Sequence, residues 1–233
     1  MKTRLQEFLT GGRDIFPLVV GAAPFGILFG TLAQSSGLSF WGAMGFSAIV
    51  FAGAAQFVAL GLLAVGTAVP LIILTTFVVN LRHLLYSASL VPYVRQLPTG
   101  WKLLIAFLLT DESYAASIGR YRQSEASLYK HWHYLGGSLF MYLNWQLWTL
   151  VGLTLGQALP DTSRWGLDFA MVATFIGMVV PYVTRSAMLA TVAVSGIVSA
   201  ATFGWPHRLG LIFAAIAGMI AGYLTDQRQE RRS

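Results

Sequence analysis

Long uncharged stretches alternate with short polar breaks along the chain. Residues 15–81 contain no Asp, Glu, Lys or Arg, and further uncharged stretches cover 131–160, 186–207 and 209–225. A helix crosses the hydrocarbon core of a bilayer with about 20 apolar residues, so the first stretch alone supplies roughly two to three spans. The pattern predicts spans over about 15–33, 39–65, 69–91, 134–157, 167–183, 187–203 and 208–224. Segment 103–118 is different: Leu103 to Leu109 are apolar, and Thr110-Asp111-Glu112-Ser113 follow directly. That sequence predicts a half-helix, or a span lined by protein rather than lipid. The expected fold class is all-α: a polytopic transmembrane helical bundle of about seven to eight membrane segments, including broken or half helices. It forms a single domain over 1–233, with a weak two-part organisation at roughly 15–118 and 130–224.

Several spans carry residues that disturb a helix. Pro17, Gly21, Pro24, Gly26 and Gly30 punctuate the first. Proline lacks the backbone donor and clashes with the preceding turn, and in hydrocarbon the freed carbonyl must find a partner within the protein. Gly26 and Gly30 form a GxxxG step, which permits close helix approach. The second span is overlong, and Gly53-Ala54-Ala55-Gln56 near its middle predicts a break or tight bend. The chain around Pro24 and around Gly53 is expected to be non-helical or kinked, with the two stretches close together. The third span is expected to end before Pro92. A weak internal echo links Gly26-x-x-x-Gly30 with Gly37-Leu38-x-Phe40 to Gly152-x-x-x-Gly156 with Gly166-Leu167-x-Phe169.

Composition strengthens the membrane reading. The chain is 56% hydrophobic and only 10% charged, against about 25% charged in ordinary soluble domains. A soluble enzyme and a single-anchor protein are both excluded. The net charge of +6 would suggest nucleic acid in a soluble domain, but the basic residues sit in termini and short loops, as the positive-inside rule requires. Lys2, Arg4, Arg13, Arg120, Arg122, Lys130, Arg228, Arg231 and Arg232 place both termini and the 120–130 loop in the cytoplasm. This arrangement needs 103–118 to cross, which gives eight crossings and leaves Arg95 and Lys102 outside. The N-terminal segment imitates a signal peptide, but Pro17, Pro24 and the lack of a compact apolar region favour a first span. There is no cysteine, and no GxSxG, GxxxxGK[ST] or HExxH motif, so no ATPase, cofactor or metal site is expected. His131-x-His133 lacks a third ligand and flanks Trp132, which predicts an interfacial role. Trp145, Trp148, Trp165 and Trp205 read as interface anchors.

Three constellations carry candidate chemistry. Asn80-Leu81-Arg82-His83 puts polar and ionisable groups in a span, where they are costly in lipid and normally face a protein interior or a water-filled cavity. Arg82 and Asn80 are expected to face an internal polar cavity, with Arg82 able to hold a carboxylate bidentately. Phe51-Ala52-Gly53-Ala54-Ala55-Gln56-Phe57 places small residues and one amide at mid-membrane, where an unwound turn offers backbone groups to a zwitterion. Asp111 and Glu112 point about 100° apart on a helix, so only one of them is expected to face a site. Asp111 is the favoured proton carrier, buried against Arg82 or His83, with Glu112 and His83 as the other candidates.

Taken in order, Pro24-Phe25-Gly26, Phe51 to Phe57 with Gly53 and Gln56, Asn80 to His83 followed by Leu84, Tyr86 and Ser87, and Thr110-Asp111-Glu112 resemble the AzlC-type branched-chain amino acid exporters. The resemblance covers 24–112, while 130–233 agrees in hydropathy only. It departs from a common form of the family at Ser113-Tyr114. It implies a bacterial inner-membrane permease that exports valine, leucine, isoleucine and in some cases methionine, working with a small AzlD-type membrane subunit. Pro24, Phe25, Gly26, Gly53, Gln56, Asn80 and Arg82 are then the expected substrate-binding residues, and Asp111, Glu112 and His83 the expected proton-coupling ones. Two alternatives stand beside it: a non-transporting scaffold or assembly subunit, and an intramembrane enzyme using Asp111 or His83.

Overall fold

The computed structural model describes residues 3–123, 127–158, 176, 180, 183–205 and 209–231, and its regular elements are all helices. The expected span at 167–183, with Trp165, Gly166 and Asp168, lies almost wholly outside the described residues. Helix α1 (Arg4–Ser35) is 32 residues long, about 48 Å at the usual helical rise. Thr3 opens it with a capping box: its hydroxyl accepts from the Gln6 amide at 3.2 Å, and the Gln6 side chain accepts from the Thr3 amide at 2.9 Å. The helix runs on through both Pro17 and Pro24, so the expected interruption at Pro24 does not occur. Pro24 lies on an exposed face, and its neighbours in the helix are fixed by packing.

That packing is against α8 (Lys130–Ala158), and backbone meets backbone along the seam. A methyl group added at Gly30 would strike the carbonyl of Thr149, one at Gly152 that of Ile27, one at Gly11 that of His133 and one at Gly136 that of Phe8. Contact positions rise together in the two helices, so α1 and α8 run parallel. Thr31 donates to the Gly152 carbonyl at 3.1 Å, and Asn144 to the Val19 carbonyl at 3.1 Å. The GxxxG step of α1 is thus a true close-packing surface, and Gly152 of its echo packs against it.

Side chains lock the first turns of α1 to the segment entering α8. Glu7 is fully buried and ion-paired with Arg120. Ser127 donates to the same carboxylate at 2.8 Å, and His133 lies 2.9 Å from Asp14. His133 is therefore a buried partner of an acid and not an interfacial group. Arg4 stands over the rings of Tyr129 and Trp132 at 5.2 and 5.9 Å.

Between these two long helices lie six short ones: α2 (Phe40–Val50), α3 (Gly53–Ala64), α4 (Val69–Asn80), α5 (Arg82–Val94), α6 (Thr99–Phe107) and α7 (Asp111–Arg122). Each reaches only about half the depth of a bilayer or little more. They form three interrupted pairs, broken at Phe51–Ala52, Leu81 and Leu108–Thr110. Chain direction bends by 41° at the α4–α5 break. The third expected span is therefore broken, and it continues through Pro92 to end at Val94, two residues beyond the proline. Helices α9 (Ser186–Ala201) and α10 (Leu209–Glu230) pack antiparallel, Gly218 lying against Thr191 and Ser195. Among the described residues, α1 is the one unbroken helix long and apolar enough to cross a membrane, and α4 with α5 forms a second, bent candidate.

Candidate functional site

The three breaks converge on one cavity of about 620 Å³. Helix α1 supplies Pro17, Leu18, Gly21, Ala22 and Phe25; the α2–α3 break supplies Phe51 to Ala54, with Phe57 beyond it. Arg82 and His83 come from the start of α5, and Thr110, Asp111 and Glu112 from the start of α7. Met141 and Trp145 of α8, Val183, and Met188, Thr191 and Val192 of α9 complete the wall.

The α2–α3 break is where the expected tight bend occurs. Phe51 adopts a left-handed conformation, φ 37°, a strained choice for a residue other than glycine. Side-chain donors cluster on the carbonyls of the last turns of α2. Gln56 donates to Phe46 O at 3.3 Å, Gln146 to Ser47 O at 3.3 Å, and Tyr142 to Ala48 O at 3.1 Å. The other side of the break is left open. Helix α3 has no side-chain cap, and among the described residues nothing accepts from the amides of Gly53, Ala54 or Ala55. Two of these three, Gly53 and Ala54, line the cavity. Free amides and the positive end of the helix dipole together favour an anionic group.

Helix α7 is closed where α3 is open. Thr110 caps it, accepting from the Ser113 amide at 3.2 Å while the Ser113 hydroxyl accepts from the Thr110 amide at 2.8 Å. The first turn of α7 then carries Asp111 and Glu112 at the end of a helix dipole that suits acids. Asp111 is held twice: Arg82 Nη2 lies 2.9 Å from Oδ2, and the Tyr86 hydroxyl donates to Oδ1 at 2.7 Å. Tyr86 is itself fixed by stacking on Tyr114 at 4.6 Å, and Tyr114 donates to Ser89 at 2.9 Å. His83 Nδ1 donates to the Asn80 carbonyl at 3.1 Å, which fixes the ring across the α4–α5 break.

Of the residues expected from sequence, Phe25, Gly53, Arg82, His83, Asp111 and Glu112 line the cavity. Both carboxylates do so, against the expectation that their angular separation would leave one facing away; the cavity wraps the helix start closely enough to reach both. Asn80, expected to face the cavity with Arg82, is not among its lining residues; its side-chain oxygen is buried without a partner among the described residues. Gln56 is fully buried behind the wall, tied to Phe46 O. Gly26 packs against Trp148 of α8, and Pro24 lies on the outer face of α1. Trp145 is corrected from an interface anchor to a core residue, 7% exposed, whose ring abuts Gly53. Sequence reasoning also missed Tyr86 as a partner of Asp111; its spacing of 25 residues from the acid leaves no local pattern to read.

Fold and site together define a helical membrane protein whose broken helices enclose a cavity with an ion pair in its wall. The chain belongs to the AzlC family, described as AzlC protein, which it matches over residues 17–159. Similar proteins include the inner membrane protein YgaZ of Escherichia coli, 28% identical over 94% of this chain and 89% of that protein. A membrane protein of Archaeoglobus fulgidus is 32% identical over 89% of this chain and 91% of its own length. The branched-chain amino acid transport protein AzlC of Bacillus subtilis is 33% identical over 69% of this chain and 61% of that protein. No solved structure gives a significant match.

Proposed function

We propose that this protein is a secondary-active exporter of branched-chain amino acids, coupled to the proton gradient and working with a small AzlD-type membrane subunit. The observation that carries the reading is the meeting of three broken helices around one cavity that offers both charge-binding and apolar surfaces. Cavities of about 300–1,000 Å³ suit small molecules. The open amides of α3 face an α-carboxylate, the acids of α7 face an α-ammonium group, and Phe25, Met141 and Met188 give an aliphatic side chain an apolar wall. Methionine shares the length and apolarity this wall accepts. The relative named for branched-chain amino acid transport supports the substrate class.

In this reading the chain sits in the bacterial inner membrane. The parallel run of α1 and α8 supports an odd number of crossings between them, with 103–118 one of them. Eight crossings with both termini cytoplasmic satisfy that count. The test is efflux of labelled valine from proteoliposomes, with and without the small subunit and an imposed pH gradient. Concentrative efflux that needs both supports the proposal. A complete absence of valine flux with the partner present overturns it and favours the scaffold reading.

A further inference from the structure

The cavity holds two carboxylates in unequal circumstances, and this inequality sharpens the transport reading on which the present inference rests. Asp111 is engaged by the Arg82 guanidinium at 2.9 Å and by the Tyr86 hydroxyl at 2.7 Å. Glu112, the next residue, lines the same cavity. Among the described residues no basic side chain forms an ion pair with it; the charges that act on it are Asp111 beside it and Arg82, whose guanidinium is paired to Asp111. A carboxylate that must take up and release a cation in each cycle cannot have its oxygens already engaged by fixed side chains, as both Asp111 oxygens are. Asp111 fails that requirement and Glu112 meets it.

We propose that Glu112 is the one carboxyl group that the proton and the exported amine occupy in turn, while Asp111 serves as the fixed counter-ion of Arg82. Loading from the cytoplasm is an exchange: the protonated Glu112 carboxyl gives up its proton and the carboxylate then holds the α-ammonium group of the substrate. Release on the far side runs the exchange in reverse, and the incoming proton takes the place of the departing amine. Charge balances at every stage, since one cation leaves the carboxylate as another arrives. Antiport needs no second acid.

The remaining charged and titratable groups around the cavity are few. Helix α5 contributes Arg82 and His83, and α7 contributes Asp111 beside Glu112; the lining residues from α1, α3, α8 and α9 carry no titratable group. Nδ1 of His83 is committed to the Asn80 carbonyl, and a positive charge gained there would lie beside Arg82 and not beside a vacant acid.

The test is valine binding to the purified protein across a pH series, by calorimetry in buffers of different ionisation enthalpy. The intact protein should release up to one proton per valine bound, and its affinity should rise by about tenfold per pH unit below the midpoint, as competition for one site requires. Glu112→Gln should weaken binding, abolish proton release and flatten the pH dependence. Glu112→Asp should restore the pH dependence, which separates loss of the titrating group from a folding defect. Asp111→Asn and His83→Gln should change affinity but keep proton release. Proton release that survives in Glu112→Gln, or vanishes in Asp111→Asn or His83→Gln, overturns this assignment and leaves the transport reading intact. Valine that does not bind the intact protein overturns the transport reading, and this assignment with it.

Discussion

Glu7 illustrates how an individual residue resists local reading. It stands outside the uncharged stretches, near a basic terminus, and reads as a solvated charge. In the structure it is fully buried, ion-paired with Arg120 and bonded to Ser127. Its partners lie 113 and 120 residues away, so no spacing rule reaches them. Removing one member of a buried pair leaves the other charge uncompensated, at about 3–5 kcal/mol. Glu7→Gln is therefore expected to lower thermal stability in detergent sharply, while Glu7→Gln with Arg120→Met should recover much of it. A Glu7→Gln protein that melts like the unaltered one would show that the pair is wet. Trp145 escaped for a different reason. Its helix is apolar around most of its circumference, so burial leaves no periodic trace, and an indole in such a helix fits an interface as well as a core. Arg82 and Asp111 were legible because charge inside an apolar stretch is costly wherever it occurs.

At the scale of helices, the sequence marked the breaks at Gly53 and within 103–118, since small residues and a Thr-Asp-Glu run interrupt otherwise apolar segments. The break at Leu81 carries neither glycine nor proline and was not legible. Pro24 misled in the opposite direction. Proline in isolation disfavours a helix interior, but α1 is held to α8 by backbone contact at Gly11 and Gly30 and by Gly26 against the Trp148 side chain, and that packing overrides the local preference. A contrast between two substitutions follows. Gly30→Val puts a branched side chain where even one carbon would meet the Thr149 carbonyl, so it should separate the helices and abolish the folded, monodisperse protein. Pro24→Ala restores a backbone donor on an exposed face and should leave thermal stability unchanged or raised. Chromatography in detergent reads both outcomes, and a tolerated Gly30→Val would refute the seam.

Over the whole molecule, the parallel seam constrains topology. The start of α1 and the segment entering α8 are joined by Glu7–Arg120, Asp14–His133 and Arg4 over Tyr129, so they share one end of the bundle. The chain contains no cysteine, and each introduced thiol is therefore unique. Thiols placed at Thr3 and at Leu128, both open to solvent or part-open, should react with a membrane-impermeant reagent from the same side. Labelling from opposite sides would exclude an odd number of crossings between the two long helices. The two-part organisation suggested by the glycine echo finds Gly26 and Gly152 on one shared interface, whereas Gly166 lies outside the described residues.

The seam also sets what this molecule can do mechanically. Where two helices touch through side chains, rotamers can yield and the helices can slide or roll. Where carbonyl oxygens rest against glycine α-carbons, there is nothing to yield: a shift of one residue along the axis would drive a side chain into a peptide plane. The long pair is in that sense an axle without a bearing. Movement that opens the cavity first to one side and then to the other has its joints among the six short helices, in the breaks at Phe51, Leu81 and Leu109.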